Sequence, residues 1–213
     1  MLNSPSRIFI LGNLMDGGRE WTDSNWETEW KRFQRVFKIP NRKGNNRVKL
    51  HTLAGNRDIG MGESVIPWAV QRFRNRVGPL NYAVEVDNHL LIALDTVLFE
   101  NKHEIYRSES RLFLEHIKSN FPSKHKILLS HTPLYRKPGT DCGSFRKSAK
   151  KSIELNIGKQ YKTMLDRNSS ELILKNLMPD MILSADDYDN CHVVHDFNNK
   201  IIPEVCFFTL YFS

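Results

Sequence analysis

The sequence is poor in cysteine and contains no long hydrophobic run. Its 213 residues include only three cysteines, Cys142, Cys191 and Cys206. Three cysteines give neither a disulfide framework nor a metal-knuckle pattern, although one bridge with a thiol left over stays open. No apolar run reaches the roughly 20 residues that a membrane-spanning helix needs, and residues 1–6 lack a signal-peptide hydrophobic region. We therefore expect no transmembrane segment and a chain that, as it stands, is soluble and cytosolic.

Nucleic-acid-binding signatures are also missing. The sequence has no aromatic RNA-binding motif, no zinc-finger spacing and no basic zipper, so we predict no nucleic-acid partner. Its 31 basic and 24 acidic residues give a net charge of +7. That charge favours an anionic partner without choosing its class. We expect the small basic cluster at Arg146, Lys147, Lys150 and Lys151 to be a solvated loop.

Short apolar runs alternate with helical periodicities, which is typical of a layered α/β fold. With 40% apolar and 26% charged residues, the chain has ordinary globular composition, and its length suits one domain over residues 1–213. The apolar runs predict strands at 7–11, 48–53, 82–86, 89–94, 126–130 and 181–184, and a final pair at 192–195 and 205–210. We expect His192 and His195 to point to opposite faces of their strand and to bind no metal.

The sequence also predicts several helices. Ser24 and Glu27 form a capping-box pattern before a helix that we expect Pro40 to end. Further helices are predicted at 67–76 and 108–119, and one that begins with Asn168 and Glu171 as its cap and runs through residue 177. The stretch 136–163 has little periodicity, so we predict an irregular segment there.

Four predicted strands end directly in polar clusters. The clusters are Gly12-Asn13, Gly55 to Asp58, Ser130-His131 and Ala185 to Asp189. In α/β sheets, binding sites form beyond the carboxyl ends of the strands. The sequence therefore predicts one shared site built from these four strand ends.

The order of these clusters resembles the motifs of the calcineurin-like metallophosphoesterases, which run D-x-H, G-D-x-x-D-G, G-N-H-[DE], a lone His and G-H-x-H. Gly12–Arg19 resembles the second motif, Gly55–Asp58 the third and His131 the fourth, and Ala185–Tyr188 stands where the fifth belongs. The resemblance implies a two-sheet sandwich flanked by helices. The D-x-H motif would lie upstream of Arg7, so we expect the fold to be incomplete at the N-terminus, and also at the C-terminus.

A narrower resemblance concerns one branch of that family. The runs Asp16–Trp21, Asn56–Gly60 and Gly139–Gly143 are similar to the branch that remodels ethanolamine phosphate on glycosylphosphatidylinositol (GPI) anchors. Its fungal members are membrane-anchored cell-division and trafficking proteins. The resemblance implies a phosphoester or GPI-glycan ligand and a location in the endoplasmic reticulum and Golgi, where Cys142 and Cys191 could pair.

The family resemblance also implies particular site residues. It assigns metal ligation to Asn13, Asn56, His131 and Asp186, a catalytic role to Asp58, and phosphate contacts to Arg19 and Arg57. Two divalent ions, for which manganese is the first expectation, would clamp the phosphate and turn a bridging water into hydroxide. Manganese, iron and zinc in such sites prefer carboxylate and imidazole ligands.

Several of these positions depart from the family pattern. Asn13 replaces the carboxylate that bridges both ions, and either caps its strand or remains a weak ligand. Arg57 replaces the catalytic histidine; arginine can hold a phosphate but cannot act as an acid near pH 7. Asp58 either keeps an orienting role or pairs with Arg57, and Asp186 and Tyr188 replace the two histidines of the fifth motif.

Three functions remain open from the sequence. The first is a family fold with little or no hydrolase activity, which need not hold a metal. The second is an active phosphoesterase with a mononuclear site at Asn13, Asn56, His131 and Asp186. The third is a module that captures a phosphorylated glycan, a lipid headgroup or a protein through Arg19, Arg57 and the basic 146–151 segment.

Overall fold

The computed structural model describes residues 5–37, 48–148, 152–187 and 189–207. The strands in these ranges are β1 Arg7–Ile10, β2 Lys49–Thr52, β3 Tyr82–Val86, β4 His89–Leu94, β5 His125–Ser130, β6 Ile157–Gly158, β7 Tyr161–Lys162, β8 Met181–Ser184, β9 Cys191–Phe197 and β10 Lys200–Cys206. The α-helices are α1 Asp23–Val36, α2 Asn56–Ile59, α3 Pro67–Arg76, α4 Glu104–Asn120 and α5 Arg167–Leu177. None of these helices is long and apolar enough to cross a membrane.

A mixed six-stranded sheet forms the centre of the fold, in the order β3-β4-β5-β8-β10-β9. Strands β4, β5, β8 and β10 run parallel, whereas β3 and β9 pair antiparallel at the two edges. Strands β1 and β2 form a separate parallel pair, and β6 and β7 form a small hairpin. This mixed α/β arrangement of two main sheets and helices confirms the predicted fold class.

Alternate residues of the central strands pack against different layers, as the two-residue period of a strand requires. On one face Leu90, Ile92 and Leu128 pack against Leu114 of α4 and Ile173 of α5. On the other face, Leu91, Ala93, Leu129 and Leu183 pack against Phe9, Leu11 and Leu53 from β1, β2 and the residues that follow them. The β1–β2 pair is thereby held over the central sheet, with its carboxyl ends beside those of β5 and β8.

Two predicted helix caps are wrong. Helix α1 begins after Thr22, whose side chain accepts from Asn25 N at 3.4 Å, and not at the Ser24–Glu27 box. Helix α5 begins after Asp166, whose carboxylate accepts from Ser169 N at 2.7 Å, and not at Asn168. In both places an upstream side chain already reaches the free amide at the helix start.

Other predicted boundaries also shift. Helix α4 begins at Glu104, before the predicted start at 108, and α1 ends at Val36, whereas Pro40 lies outside the described residues. The last strand begins at Lys200, before the predicted start at 205, because residues 200–206 pair in full register with β9. It ends at Cys206, and residues 208–213 lie outside the described residues.

Where it is described, the segment 136–163 contains the short β6–β7 hairpin and is otherwise irregular, as predicted. It is also linked covalently to the sheet. Cys142 and Cys191 form a disulfide that joins it to β9, and Cys206 is a buried free thiol. Arg146 pairs with Asp187 at 2.7 Å, and both side chains are buried. The expectation of a solvated basic loop is therefore wrong for Arg146; Lys150 and Lys151 lie outside the described residues.

A buried charge cluster lies where β10 meets the segment after β5. Glu204 accepts from Ser184 Oγ at 2.6 Å and from Leu134 N at 3.2 Å, and lies 2.6 Å from His195 Nε2. The Arg136 Nη2 atom is 3.0 Å from Glu204 Oε1 but is not aligned for a hydrogen bond, so the attraction between them is Coulombic. Burial alone raises the pKa of Glu204, but the Arg136 charge and the contact with His195 lower it to about 2.

His195 therefore points inward to Glu204, whereas His192 lies on the exposed side of β9 against the Phe145 ring. This arrangement confirms the prediction that the two histidines face opposite sides of the strand.

The Glu204→Gln variant should unfold more easily by about 3–5 kcal/mol near pH 7, because it leaves the Arg136 charge buried without its counter-ion. A carboxylate whose pKa falls from 4.5 to about 2 on folding stabilises the protein above pH 4.5 and loses that effect as the pH drops toward 2. The difference between the variant and the unmodified protein should therefore shrink at acid pH. Urea unfolding between pH 3 and pH 7 measures both effects.

The control is Glu85→Gln, which removes an exposed carboxylate 3.1 Å from Lys124. We expect that change to cost less than about 1 kcal/mol. Equal effects of the two substitutions would contradict a special role for the buried cluster.

Candidate functional site

The polar clusters that follow β1, β2, β5 and β8 meet in one site, as the sequence predicts. The His131 Nε2 atom lies 3.2 Å from Asn56 Oδ1 and 3.5 Å from Asp186 Oδ1. All three side chains are buried. The loops after three strands thus bring an imidazole, an amide oxygen and a carboxylate to one point.

His131 is held from its other side by β1. Its Nδ1 atom lies 2.6 Å from the carbonyl oxygen of Leu11, so Nε2 is directed at Asn56 and Asp186. Burial opposes a charge on this ring, but the Asp186 carboxylate, the Leu11 carbonyl and Asp58 together raise its pKa above the usual value. A side-chain methyl at residue 12 would lie 2.4 Å from His131 Nδ1, so Gly12, with its positive φ of 102°, is needed for this approach.

Asp186 supplies the anionic group of the site. It has a positive φ of 62°, and its buried Oδ2 atom has no hydrogen-bond partner among the residues that the structure describes. A buried carboxylate oxygen without a partner is costly, and a bound cation or water would satisfy it.

Asn56 is oriented by a distant part of the chain. Its Nδ2 donates to the carbonyl oxygen of Gln160 at 2.8 Å, which leaves Oδ1 facing His131. Gln160 lies in the turn between β6 and β7, and this hairpin is also held by Ser64 Oγ, which donates to Lys159 O at 3.0 Å. No sequence pattern predicts this contact, because Gln160 lies in the segment without periodicity.

Asn13 behaves as a cap of its strand. Its Oδ1 accepts from the backbone N–H of Arg57 at 3.0 Å, with the residue at a positive φ of 53°. A side-chain methyl at residue 55 would lie 2.2 Å from this oxygen, which explains why glycine stands there. Of the two roles left open by the sequence, these contacts favour the cap.

Asp58 is buried and bonded to the backbone. Its carboxylate accepts from Leu14 N at 3.0 Å, Met15 N at 3.3 Å and Gly55 N at 2.8 Å. Burial raises its pKa to about 6, although these hydrogen bonds act in the opposite direction. Of the two roles that the sequence left open for Asp58, the contacts do not favour the pair with Arg57, whose guanidinium forms an ion pair with Asp16.

Arg19 and Arg57 border a polar cleft of about 460 Å³ beside Asn56 and Asp186. Trp21 and Tyr161 line the same cleft, one on the glycine-rich loop and one on the β6–β7 hairpin. The Arg19 guanidinium donates to Asn56 O at 3.3 Å, and its backbone N–H donates to Arg57 O at 2.9 Å. Two guanidinium groups at the mouth of one cleft suit the oxygens of a phosphate.

The side chains present suit one divalent cation better than two. Within the described ranges, no three His, Cys, Asp or Glu side chains group as a metal-ligand set. The converging donors are one imidazole, one carboxylate and one neutral amide, and the unpartnered Asp186 oxygen is the observation that fits a cation. Tyr188 lies outside the described residues. The one D-x-H string of the sequence, Asp87 to His89, lies in the β3–β4 turn, at the opposite end of the sheet.

Comparisons with known proteins agree with this picture. A sequence profile described as "Calcineurin-like phosphoesterase" matches residues 2–190. Cell division control protein 1 of Saccharomyces cerevisiae is 35% identical over 196 residues, which cover 91% of this chain and 39% of that protein. The Metallophosphoesterase 1 homolog of Caenorhabditis elegans is 28% identical over 192 residues, or 89% of this chain and 50% of that protein. The chain thus spans half or less of the length of these two relatives.

A solved structure shows the same fold at low identity. Purple acid phosphatase PPD1 from yellow lupin aligns with 94% of this chain and 36% of its own, with a TM-score of 0.55 and 12% identity. At this identity the match concerns the fold of the polypeptide alone.

The Asp58→Asn variant should lower the free energy of unfolding by about 1–3 kcal/mol, because an amide has one acceptor oxygen where the carboxylate uses two. Urea unfolding at pH 8, where Asp58 is ionised, gives this value. Asp16→Asn is the matched control, since that carboxylate is exposed and forms only an outer ion pair with Arg57. A loss for Asp58→Asn no larger than for Asp16→Asn would show that the backbone contacts of Asp58 add nothing.

Proposed function

Since the chain belongs to the calcineurin-like phosphoesterase family, we propose that residues 1–213 form a phosphate-binding domain that holds at most one divalent cation and hydrolyses phosphoesters poorly or not at all. The convergence of His131, Asn56 and Asp186 beside Arg19 and Arg57 carries this proposal. It combines a small cation site with two phosphate-binding side chains. Hydrolysis by a two-metal mechanism needs more ligands than this group contains.

The limit of one cation follows from charge and from hydrogen bonding. Among the described residues, Asp186 is the carboxylate that contacts His131, and the Asn13 amide oxygen is engaged with the Arg57 backbone. The Asp58 carboxylate is likewise engaged, with three backbone amides. A second cation would therefore have to compete with hydrogen bonds that hold the loops, and would lie close to the fixed charge of Arg57.

The cation would be held by His131 Nε2, Asp186 and Asn56 Oδ1, and manganese is the first choice for such imidazole and oxygen ligands. When bound, a divalent cation supplies positive charge that polarises a phosphoryl oxygen and lowers the pKa of a water molecule. Arg19 and Arg57 would hold the phosphate from the opposite side of the cleft, which is about 460 Å³ in volume. Arg57 keeps its proton near pH 7 and so binds without acting as an acid.

A second candidate is a slow phosphoesterase with this single cation. The unpartnered Oδ2 atom of Asp186 favours it, since that oxygen is free to ligate. The resemblance to the GPI-remodelling branch supports ethanolamine phosphate on a glycan as the ligand, and the endoplasmic reticulum and Golgi as the location. The Cys142–Cys191 disulfide is in keeping with that oxidising compartment.

The number of manganese ions bound per chain distinguishes these two proposals from a two-metal enzyme. After incubation with manganese and removal of the excess, we expect one ion or none per chain by elemental analysis. Any bound ion should be lost in His131→Ala, because the imidazole is the central ligand, and kept in the control His125→Ala at the other end of β5. Two ions retained per chain would contradict the proposal.

Phosphate binding should be sensitive to salt and should persist without metal. In the presence of EDTA, which keeps the cation site empty, we expect Arg57→Ala to weaken the binding of inorganic phosphate by about tenfold, in line with the loss of one charged hydrogen-bonded contact. Arg32→Ala on the outer side of α1, where Arg32 pairs with Glu29 at 3.6 Å, is the control. Titration calorimetry at two salt concentrations measures all three proteins. Loss of phosphate binding in EDTA would contradict direct capture by the guanidinium groups. Equal phosphate affinity of Arg57→Ala and the unmodified protein would contradict it as well.

A further inference from the structure

We call residues 16–21 the arginine loop. The loop needs an anchor, since two of its six residues, Gly17 and Gly18, are glycine. Its backbone is hydrogen-bonded to the site where Arg19 N donates to Arg57 O at 2.9 Å. Gly18 packs directly on Asp58: a side-chain methyl there would lie 3.1 Å from Asp58 Cα. One side of the arginine loop thus packs directly against Arg57 and Asp58.

On its outer side the arginine loop is held by Arg72 of helix α3. The Nη2 atom of Arg72 donates to Gly18 O at 2.5 Å, and its Nη1 donates to Trp21 O at 3.0 Å. The same Nη1 reaches Asp23 Oδ1, at the start of α1, at 2.8 Å. One guanidinium therefore binds both the middle and the end of the loop.

The Arg72 guanidinium is itself held in place by two aromatic rings. It lies 4.5 Å from the centre of the Trp68 ring and 5.2 Å from that of Trp26. Arg72 is 8% exposed, so these contacts act largely out of water, where a cation–π interaction is strongest. A planar guanidinium with two donor nitrogens can form these hydrogen bonds while it contacts both rings, whereas an ammonium group could form only some of these contacts.

We propose that Arg72 is a positioning residue for anion recognition. It fixes the arginine loop so that the side chains of Arg19 and Trp21 lie at the mouth of the cleft. It does not touch the ligand and acts through the carbonyl groups of Gly18 and Trp21. The inference rests on the proposed function, because the anion is the phosphate that Arg19 and Arg57 would bind.

The test compares Arg72→Lys with Arg74→Lys, a control on the same helix whose partner is Glu109 on α4. Hydrogen exchange of the Arg19 and Trp21 amides reports the loop without any ligand. We expect both amides to exchange about ten times faster in Arg72→Lys and to be unchanged in Arg74→Lys, since local opening sets the exchange rate. Titration with inorganic phosphate should show about tenfold weaker binding in Arg72→Lys alone.

Unchanged exchange in Arg72→Lys would overturn the inference, and so would faster exchange with full phosphate affinity. If the unmodified chain binds no phosphate, the proposed function fails, and the anion role of Arg72 fails with it; that result is recognised before any variant is compared. Should Arg72→Lys not fold, Trp68→Leu replaces it. That ring is 48% exposed, and its loss should shift both readouts in the same direction by a smaller factor.

Discussion

The carboxylate of Asp58 accepts hydrogen bonds from the backbone of Leu14, Met15 and Gly55, and so joins the loops that follow β1 and β2. The rest of the site depends on this junction. It places Asn13 against the Arg57 backbone and sets the start of α2, from which Asn56 reaches His131. Burial raises the pKa of Asp58, because it disfavours the charged carboxylate, and the three backbone hydrogen bonds act against that rise. Asp58 thus has a structural role in positioning these two loops, whether or not it contacts a ligand.

The position of the site followed from the sequence because it depends on local patterns. Short apolar runs that end in polar residues located Asn56, His131 and Asp186 at neighbouring strand ends, and the parallel order of β5 and β8 brings such ends together. The partners of these residues did not follow. Gln160 meets Asn56 across 104 positions of the chain, and Arg72 meets Gly18 across 54. Contacts of this kind arise when helices and loops pack, and no short-range pattern marks them. The same holds for Arg136 and Glu204, which a sequence shows only as two ordinary charges.

The balance of charge in the site underlies the proposal that this domain binds phosphate and hydrolyses phosphoesters poorly. A two-metal centre concentrates anionic ligands, so that two dications can lie close together. Among the described residues, Asp186 is the carboxylate that contacts His131. Arg19 and Arg57 border the cleft beside it, where they pair with the carboxylates of Glu20 and Asp16. Cationic side chains attract a phosphate and repel a second metal ion. A phosphate bound here would compete with Glu20 and Asp16 for the two guanidinium groups.

The most direct test of this balance is anomalous diffraction at the manganese edge from crystals grown with manganese and phosphate. One peak, or none, between His131, Asn56 and Asp186, with phosphate density against Arg19 and Arg57, is the predicted result. Two manganese peaks about 3.5–4 Å apart would contradict it, because they would show that this chain assembles a two-metal centre.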